Sequence, residues 1–448
     1  MSMTFEPPEA AGESSGPAAA TATAGRRAAV ILFALALCLA VPPARSSQAS
    51  SDASRALSMD EAVALALDQS PTYRVAAIEV DRARGARLGA EPYFPGNPLL
   101  SFDAGPRDQA DERGTKFSYQ ARIEQPVDLA GQRAARLNEA DANIAAAEAR
   151  LAVAGAEVRT RVRAAYVNAQ VAARRVDDAQ QRVATAERLE RAARDRVATG
   201  AASEVEQRLA EAERGKAEAE RLAATTDLQE ARAALATALD LPPGQTLRLT
   251  TALAAPPPRT LSADTLVEVA LERRRELLAL RQEGRAIDAE IERLRAERIP
   301  PVSFVFNMQQ DSPDQYWAGP GISIAAPVWR RNQGSIAEAE AERRRNRLEL
   351  ETSARSTERD LRTAIDAAKQ RRAEWELLDR SVLRAVERSR DLVVDGWQAG
   401  KFDLFRVLTL ESDLVNARRA HLDAIAALWN AELEIDRALG LGKEEEAS

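Results

Sequence analysis

Residues Gly200 to Leu241 read GAASEVEQRLAEAERGKAEAERLAATTDLQEARAALATALDL, and residues Gly400 to Leu441 read GKFDLFRVLTLESDLVNARRAHLDAIAALWNAELEIDRALGL. Aligned without a gap, the two stretches share their first glycine and nine further residues. Four of the shared residues lie seven apart in the first copy: Ala217, Ala224, Ala231 and Ala238. Leucines follow four residues after two of these alanines, which is an a/d heptad pattern with a small residue at position a. Two unrelated alanine-rich helices would also share residues by chance, but the ungapped register favours a duplication.

Each copy opens on a glycine that follows another long helical pattern. Gly200 and Gly400 are therefore predicted to be the turns of two helical hairpins. Small residues at position a allow the two helices of each hairpin to pack closely.

The composition suits long helices better than a globular core. Of 448 residues, 4% are aromatic and 29% are charged, and the net charge is −7. Arginines alternate with acidic residues, which is typical of a solvated helix face and argues against nucleic-acid binding. Cys38 and His421 are the only cysteine and histidine, so we predict no disulfide framework, no metal site and no cofactor. No nucleotide-binding loop or nucleophile motif is present, so we do not expect an enzyme.

The N-terminus has the pattern of an export signal. Arg26 and Arg27 precede fourteen apolar residues, 28–41, which are too few to span a bilayer comfortably. We predict a signal peptide within an N-terminal extension of residues 1–49, cleaved after Ala44 or Ala49. A short membrane anchor is the alternative interpretation.

The repeat extends over whole halves of the chain. LSMDEAVALALDQSP begins at Leu57 and LSADTLVEVALERRR begins at Leu261, and both place a serine at the N-cap of an amphipathic helix. We expect that Pro71 bends the first of these helices. The predicted organisation is repeat 1 over residues 50–260, repeat 2 over residues 261–442 and a charged tail over residues 443–448.

After each opening helix the period of the apolar residues changes from 3.6 to 2. In TKFSYQARIEQPV, Phe117, Tyr119 and Ile123 alternate with polar residues, and VSFVFNM shows the same pattern. Each half is therefore predicted to insert one β-hairpin between helices. A soluble sheet with one buried face would show the same alternation.

Both second strands end in a matching corner, QPVDLAGQRAAR (Gln125 to Arg136) and APVWRRNQGSIAEAEAER (Ala326 to Arg343). Helices are predicted from Gln132 to Ala198 and from Asn332 to Gln398, each about 100 Å long. The predicted fold class is mainly α with a small β part, in which long coiled-coil hairpins accompany four strands in a twofold repeat.

These corners, the L-x-x-x-E-A-x-x-x-A-L pattern and the GNP before the first strand give the chain a specific resemblance. Over residues 57–442 it resembles the outer-membrane efflux protein family, the TolC-like channels. PVDLAGQRAAR and WRRNQG are most similar to the CzcC-like branch, which serves heavy-metal cation efflux.

The resemblance implies a homotrimer in the outer membrane of a Gram-negative bacterium, with a large periplasmic part. Each protomer would give four strands to a shared β-barrel and its helices to an α-barrel. The protein would be the passive exit duct of a tripartite system with a periplasmic adaptor and an inner-membrane pump of the RND type, carrying divalent metal cations. A duct for drug efflux or type I protein secretion is the alternative; a soluble coiled-coil adaptor fits the helices but not the strands.

Site residues follow from the same resemblance. Lipid would contact Phe102, Phe117, Tyr119, Ile123, Phe304, Phe306 and Ile322. The pore would be lined by Lys116, Gln120, Arg122 and Glu124. The adaptor would contact the hairpin tips at Thr199, Gly200, Ala201, Ser203, Ala399, Gly400, Lys401 and Asp403.

A gate is implied shortly after the second tip, where members of the family carry aspartates. This chain departs from the family there, because Arg406 and Thr409 occupy the positions. Glu206 holds the position of Arg406 in the other repeat and is a candidate partner for it. A plain surface role for Arg406 remains the alternative.

Overall fold

The computed structural model describes residues 55–108, 115–242, 245, 247–312 and 315–440. The predicted signal peptide and the charged tail lie outside these residues. The first repeat comprises β1 (Arg55–Leu57), α1 (Met59–Gln69), α2 (Pro71–Ala90), β2 (Leu99–Asp108), β3 (Thr115–Val127), α3 (Gln132–Ala198), α4 (Glu204–Ala238) and β4 (Leu247–Leu249). The second comprises α5 (Ala263–Arg273), α6 (Arg275–Ala296), β5 (Val302–Ser312), β6 (Gln315–Ile324), α7 (Gln333–Leu377), a π-helical turn (Leu378–Val382), α8 (Leu383–Gln398) and α9 (Leu404–Leu439).

The helix starts follow from side-chain capping. Ser58 accepts from the backbone N–H of Glu61, whose carboxylate accepts in return from Ser58, forming a capping box. Ser262 caps α5 through its hydroxyl, which accepts from the backbone N–H of Thr265 at 3.2 Å. Pro71 occupies the first turn of α2, where its missing N–H costs nothing, so the predicted bend falls between α1 and α2.

The four longer strands form one antiparallel sheet in the order β2-β3-β5-β6, so the two hairpins pair through β3 and β5. The edges of this sheet are β2 and β6. The remaining described strands, β1 and β4, pair in parallel and bring the start of the first repeat against the linker between the repeats. Tyr166 of α3 lies fully buried beneath them and donates to the carbonyl of Leu57 at 2.9 Å.

The two long helices differ. The first is continuous over Gln132–Ala198, as predicted. The second begins one residue later than predicted, because Asn332 adopts a left-handed conformation (φ 56°), and the π-helical turn Leu378–Val382 interrupts it. No glycine or proline lies between Gly334 and Gly396, so tertiary packing must set this irregularity. The rings of Trp375 and His421 lie 6.4 Å apart beside it.

The core follows the heptad seams. Ala217 and Leu235 of α4 are fully buried against α3, and Leu428 and Ile435 of α9 are buried in the matching seam of the second repeat. Because alanine fills the close approaches, the apolar side chains form several small clusters along the helices, in keeping with an elongated packing of helix pairs.

Candidate functional site

The two hairpin tips are built alike. Gly200 and Gly400 both have φ of 73°, the left-handed conformation that ends a helix and that glycine adopts at the lowest cost. The next helix then begins on a side-chain cap, Ser203 at the N–H of Glu206 and Asp403 at the N–H of Arg406, the latter at 3.0 Å. All eight predicted adaptor-contact residues lie in these turns or end them: Thr199, Gly200, Ala201, Ser203, Ala399, Gly400, Lys401 and Asp403.

Arg196 ties one tip to the other. Its guanidinium lies 5.3 Å from the centroid of the Trp397 ring and donates to the Trp397 carbonyl at 2.7 Å. Trp397 is 1% exposed among apolar residues of both hairpins. Sequence reasoning missed this contact because the partners are 201 residues apart. The available signal was that a tryptophan stands in the second copy where the first has Val197.

The gate candidates lie on the helices that leave the tips. Arg406 is exposed, and its guanidinium sits 5.0 Å from the centroid of the Phe402 ring. Thr409 donates to the Phe405 carbonyl at 2.9 Å. One carboxylate oxygen of Glu206 is shielded from water and has no hydrogen-bond partner in the described residues. Within a single chain, the described residues contain no ion pair between Arg406 and Glu206.

A cavity of about 530 Å³ lies between α3, α4, α8 and α9, and no sequence pattern predicted it. Glu411 lines it and is 8% exposed, and one of its oxygens lies 3.8 Å from Nε of Arg390. Burial raises the pKa of Glu411, and the guanidinium groups of Arg390, Arg418, Arg182 and Arg188 oppose this rise. The matching residue of the first repeat, Glu211, is less buried and accepts from Gln207 and Arg208.

The register of the sheet places the predicted lipid-contact side chains on one face. Ile123 pairs with Leu100 and Phe306, and Phe306 pairs with Pro320, so these four residues form one cross-strand row. The alternation along each strand puts seven predicted residues on that face: Phe102, Phe117, Tyr119, Ile123, Phe304, Phe306 and Ile322. Six of these seven are exposed in the single chain; Tyr119 is half-buried and stacks on Phe102 at 6.5 Å.

The opposite face carries the predicted pore residues. Arg122 and Glu124 form an ion pair at 2.7 Å on this face, and Gln120 precedes them in the same alternation. The side chain of Lys116 lies outside the described part of the chain. The sheet is therefore amphipathic across its thickness, with apolar side chains on one side and charged ones on the other.

Two features are absent from the residues that the structure describes. No group of three or more His, Cys, Asp or Glu side chains is placed to hold a metal ion there. Within the same ranges, no helix is both long and apolar enough to cross a membrane.

The chain belongs to the outer membrane efflux protein family, whose model matches residues 62–240 and 266–441. The resemblance predicted from the corners is thereby confirmed, and the two matched segments fall one in each repeat. The protein is accordingly an outer-membrane efflux channel, and the family consists of channels rather than enzymes.

Individual relatives share both sequence and fold. The chain is 28% identical over 390 residues to the cobalt-zinc-cadmium resistance protein CzcC of Cupriavidus metallidurans, covering 87% of this chain and 91% of that protein. The structure of CusC superposes with a TM-score of 0.69 at 18% identity, covering 86% of this chain and 92% of CusC. The outer membrane protein VceC of Vibrio cholerae gives 0.67 at 18% identity, covering 86% of this chain and 96% of VceC. The predicted mainly α fold with a small β part is that of these channels.

Proposed function

We propose that three copies of the chain form the passive exit duct of a tripartite efflux system that exports divalent metal cations. The assignment of metal cations as the cargo rests on the similarity to a cobalt-zinc-cadmium resistance protein, which spans about nine-tenths of both chains. The PVDLAGQRAAR and WRRNQG corners, which resemble the heavy-metal branch, support the same assignment. No cluster of side chains among the described residues is placed to hold a metal ion, and in this proposal the pump upstream selects the cargo.

The amphipathic sheet supports the trimer. A four-stranded sheet leaves the backbone groups of β2 and β6 unpaired, and unpaired groups are costly in lipid. Joining β6 of one chain to β2 of the next closes twelve strands with no edge left. The apolar face then meets lipid, and Arg122 and Glu124 line the aqueous bore.

The tips support a periplasmic adaptor as the partner, with an RND-type pump beyond it. Val205 and Phe405 hold matching positions one residue after the capped helix starts and are 65% and 68% exposed. Large apolar side chains at equivalent exposed positions suit a binding surface for another protein. The helices then cross the periplasm from the outer membrane to the adaptor. The proposed mature chain comprises repeats 50–260 and 261–442 after loss of the segment 1–49.

The entrance is proposed to close on Arg406. Three guanidinium groups around an axis repel cations over the screening length of about 8 Å, so a cation duct needs them neutralised or withdrawn. The shielded and unpartnered oxygen of Glu206 supports pairing with Arg406 of a neighbouring chain in the closed state.

Single-channel recording in planar bilayers tests this gate. Arg406→Ala should raise the conductance, and Glu206→Ala should do the same if the two are partners. Arg208→Ala is the matched control, because Arg208 is exposed two residues beyond Glu206 and pairs with its own helix. Wild-type conductance and ion selectivity in both gate variants would reduce Arg406 to a surface residue.

A transport assay in cells tests which substrate the channel exports. The chain is expressed with its own adaptor and pump in a host that lacks other metal-efflux ducts. We expect lower cellular zinc, cobalt and cadmium and higher resistance to these ions than in cells with the pump and adaptor alone. Export of dyes or of a secreted protein, with metal content unchanged, would favour the drug-efflux or protein-secretion alternative and reject the metal assignment.

A further inference from the structure

Trp329 is the most exposed large apolar side chain in the described part of the chain, at 84%. It lies in the corner between β6 and α7, and Arg330 and Arg331 follow it, both exposed. In this position a large apolar area of the tryptophan ring is exposed to water. Contact with a less polar surrounding would therefore lower the free energy.

The same corner in the first repeat shows that the turn does not require these side chains. Gly131 and Asn332 both adopt left-handed conformations at the start of a long helix. In both corners the next glutamine accepts from the backbone N–H two residues before it, at 2.7 Å from Ala130 and from Arg331. The two corners thus start their long helices in the same way.

The side chains at the corner differ between the two repeats in polarity and in exposure to water. Asp128 stands where the second repeat has Trp329, and its side chain is 7% exposed and bonded to Arg136 at 2.5 Å. The first corner therefore turns its polar residue inward onto its own helix. The second corner exposes an aromatic ring and two arginines, of which Arg331 donates from Nε to the Pro327 carbonyl at 2.9 Å.

The second corner also borders a positively charged hollow. A cavity of about 310 Å³ lies between the end of α6 and the start of α7, with Arg298, Trp329 and Arg331 in its wall. The acidic side chain of that wall, Glu340, is already paired with Arg295 at 3.1 Å. Within the described residues, Arg298 and Arg330 have no ion pair, so the corner offers unneutralised positive charge.

The position of the corner relative to the sheet indicates which surroundings it contacts. The last row of the sheet on its apolar face is Val127, Val302 and Ile324, and Trp329 follows five residues after Ile324. The apolar face thus ends where the tryptophan and the arginines begin. This order, apolar surface, then aromatic ring, then cationic groups, matches hydrocarbon, interface and headgroup of a bilayer.

We propose that Arg298, Arg330 and Arg331 bind the phosphate of an anionic phospholipid at the helix-side surface of the membrane, with the Trp329 ring at the level of the headgroups. Guanidinium groups suit phosphate because they donate paired hydrogen bonds to its oxygens. This site rests on the proposed function, since it requires the apolar face of the sheet to lie in lipid. The second repeat alone carries it, so a trimer has three such sites.

Two readouts test the site on the full chain. Native mass spectrometry of protein extracted into detergent and supplied with phosphatidylglycerol measures lipid retention. The variant Arg298→Gln/Arg330→Gln/Arg331→Gln should bind phosphatidylglycerol about tenfold more weakly than wild type. The control Arg344→Gln/Arg347→Gln removes two exposed arginines from the body of α7 and should retain wild-type binding. Inorganic phosphate is added as a competitor.

Tryptophan emission in vesicles with acyl chains brominated near the headgroup gives the second readout. We expect Trp329→Phe to remove a strongly quenched component of the emission and to leave the trimer intact. Equal phosphatidylglycerol binding by the triple variant and the control would overturn the site. So would full competition by inorganic phosphate, which indicates a free anion, or an unquenched Trp329, which indicates contact with a second copy of the chain. A wild-type protein that fails to insert as a trimer refutes the proposed function itself; an inserted trimer without the lipid difference refutes this site alone.

Discussion

Gln132 joins the two repeats at the level where strands become helices. It is 2% exposed, its carbonyl oxygen accepts from Ala130 N–H at 2.7 Å, and its amide donates to the Ile299 carbonyl at 2.9 Å. Gln132→Ala should lower the free energy of unfolding by about 1–3 kcal/mol, because it removes two hydrogen bonds to partly buried backbone groups. Thermal unfolding of the detergent-solubilised protein measures the loss.

Gln333 is the matched control for this substitution. It occupies the same corner position in the second repeat and reaches Arg331 N–H and the Trp329 carbonyl, but it is exposed. Water can replace its hydrogen bonds, so Gln333→Ala should change stability by less than about 0.5 kcal/mol. Equal losses in the two variants would show that the bond to Ile299 contributes nothing.

Glu411 should make stability fall as pH rises. Its raised pKa means that the folded chain holds the proton more tightly than the unfolded chain, so ionisation penalises the folded state. The loss begins at the ordinary pKa of a glutamate and is complete above the raised value. Glu411→Gln removes this penalty, so the unfolding midpoint of the variant should gain on that of wild type as pH rises from the ordinary pKa of a glutamate through the raised pKa of Glu411.

Glu211 holds the matching position in the first repeat, and its effect on the pH dependence of stability should have the opposite sign. Hydrogen bonds from Gln207 and then Arg208 lower its pKa, so its ionised form stabilises the folded chain and that stability is lost as pH falls. Glu211→Gln should therefore fall behind wild type as pH rises from below the lowered pKa to the ordinary pKa of a glutamate, with a constant difference above it. Midpoint differences that stay constant with pH in both variants would contradict the assignment of these shifts.

At the scale of residues, the sequence predicted the features that depend on near neighbours in the chain. It did not predict contacts between residues that are far apart in the chain. The turn glycines and the cap at Ser58 depend on neighbours within a few residues, so the sequence revealed them. The Arg196–Trp397 contact and the burial of Glu411 depend on how two hairpins pack together. A single sequence does not report contacts of that separation.

At the scale of elements, the bounds of α3 and β3 were predicted to the residue, because a left-handed glycine and alternation of period 2 mark them. The π-helical turn was not, because no breaker marks it. A π turn holds one residue more than an α turn. Deleting Arg380, an exposed residue in this turn, should restore a continuous α-helix and leave both flanks in register.

A deletion elsewhere in the same helix gives the contrast. Removing the exposed Arg359 from α7 rotates residues after it by about 100°, which turns Leu361 and Ile365 out of the seam with α9. We expect the Arg380 deletion to give near wild-type yield of membrane-inserted trimer and the Arg359 deletion to give little. Comparable yields would show that the π turn is not a one-residue insertion in the register.

At the scale of the molecule, the sequence predicted the family and the comparison confirmed it, since two segments that together span most of the chain match the outer membrane efflux model. The assembly stays a proposal. One chain supplies an amphipathic sheet with two open edges and helices about 100 Å long, and neither feature is complete alone. Sequence patterns describe one protomer, whereas the barrel and the entrance exist only between protomers.

Native mass spectrometry of the protein extracted from outer-membrane fractions tests whether three chains form the duct. The unpaired edges of β2 and β6 require closure by other copies, and twelve strands close with three chains. We expect a species with the mass of three mature chains that survives mild detergent. A monomer recovered from the soluble periplasmic fraction, or a stable assembly of any other number of chains, would contradict it.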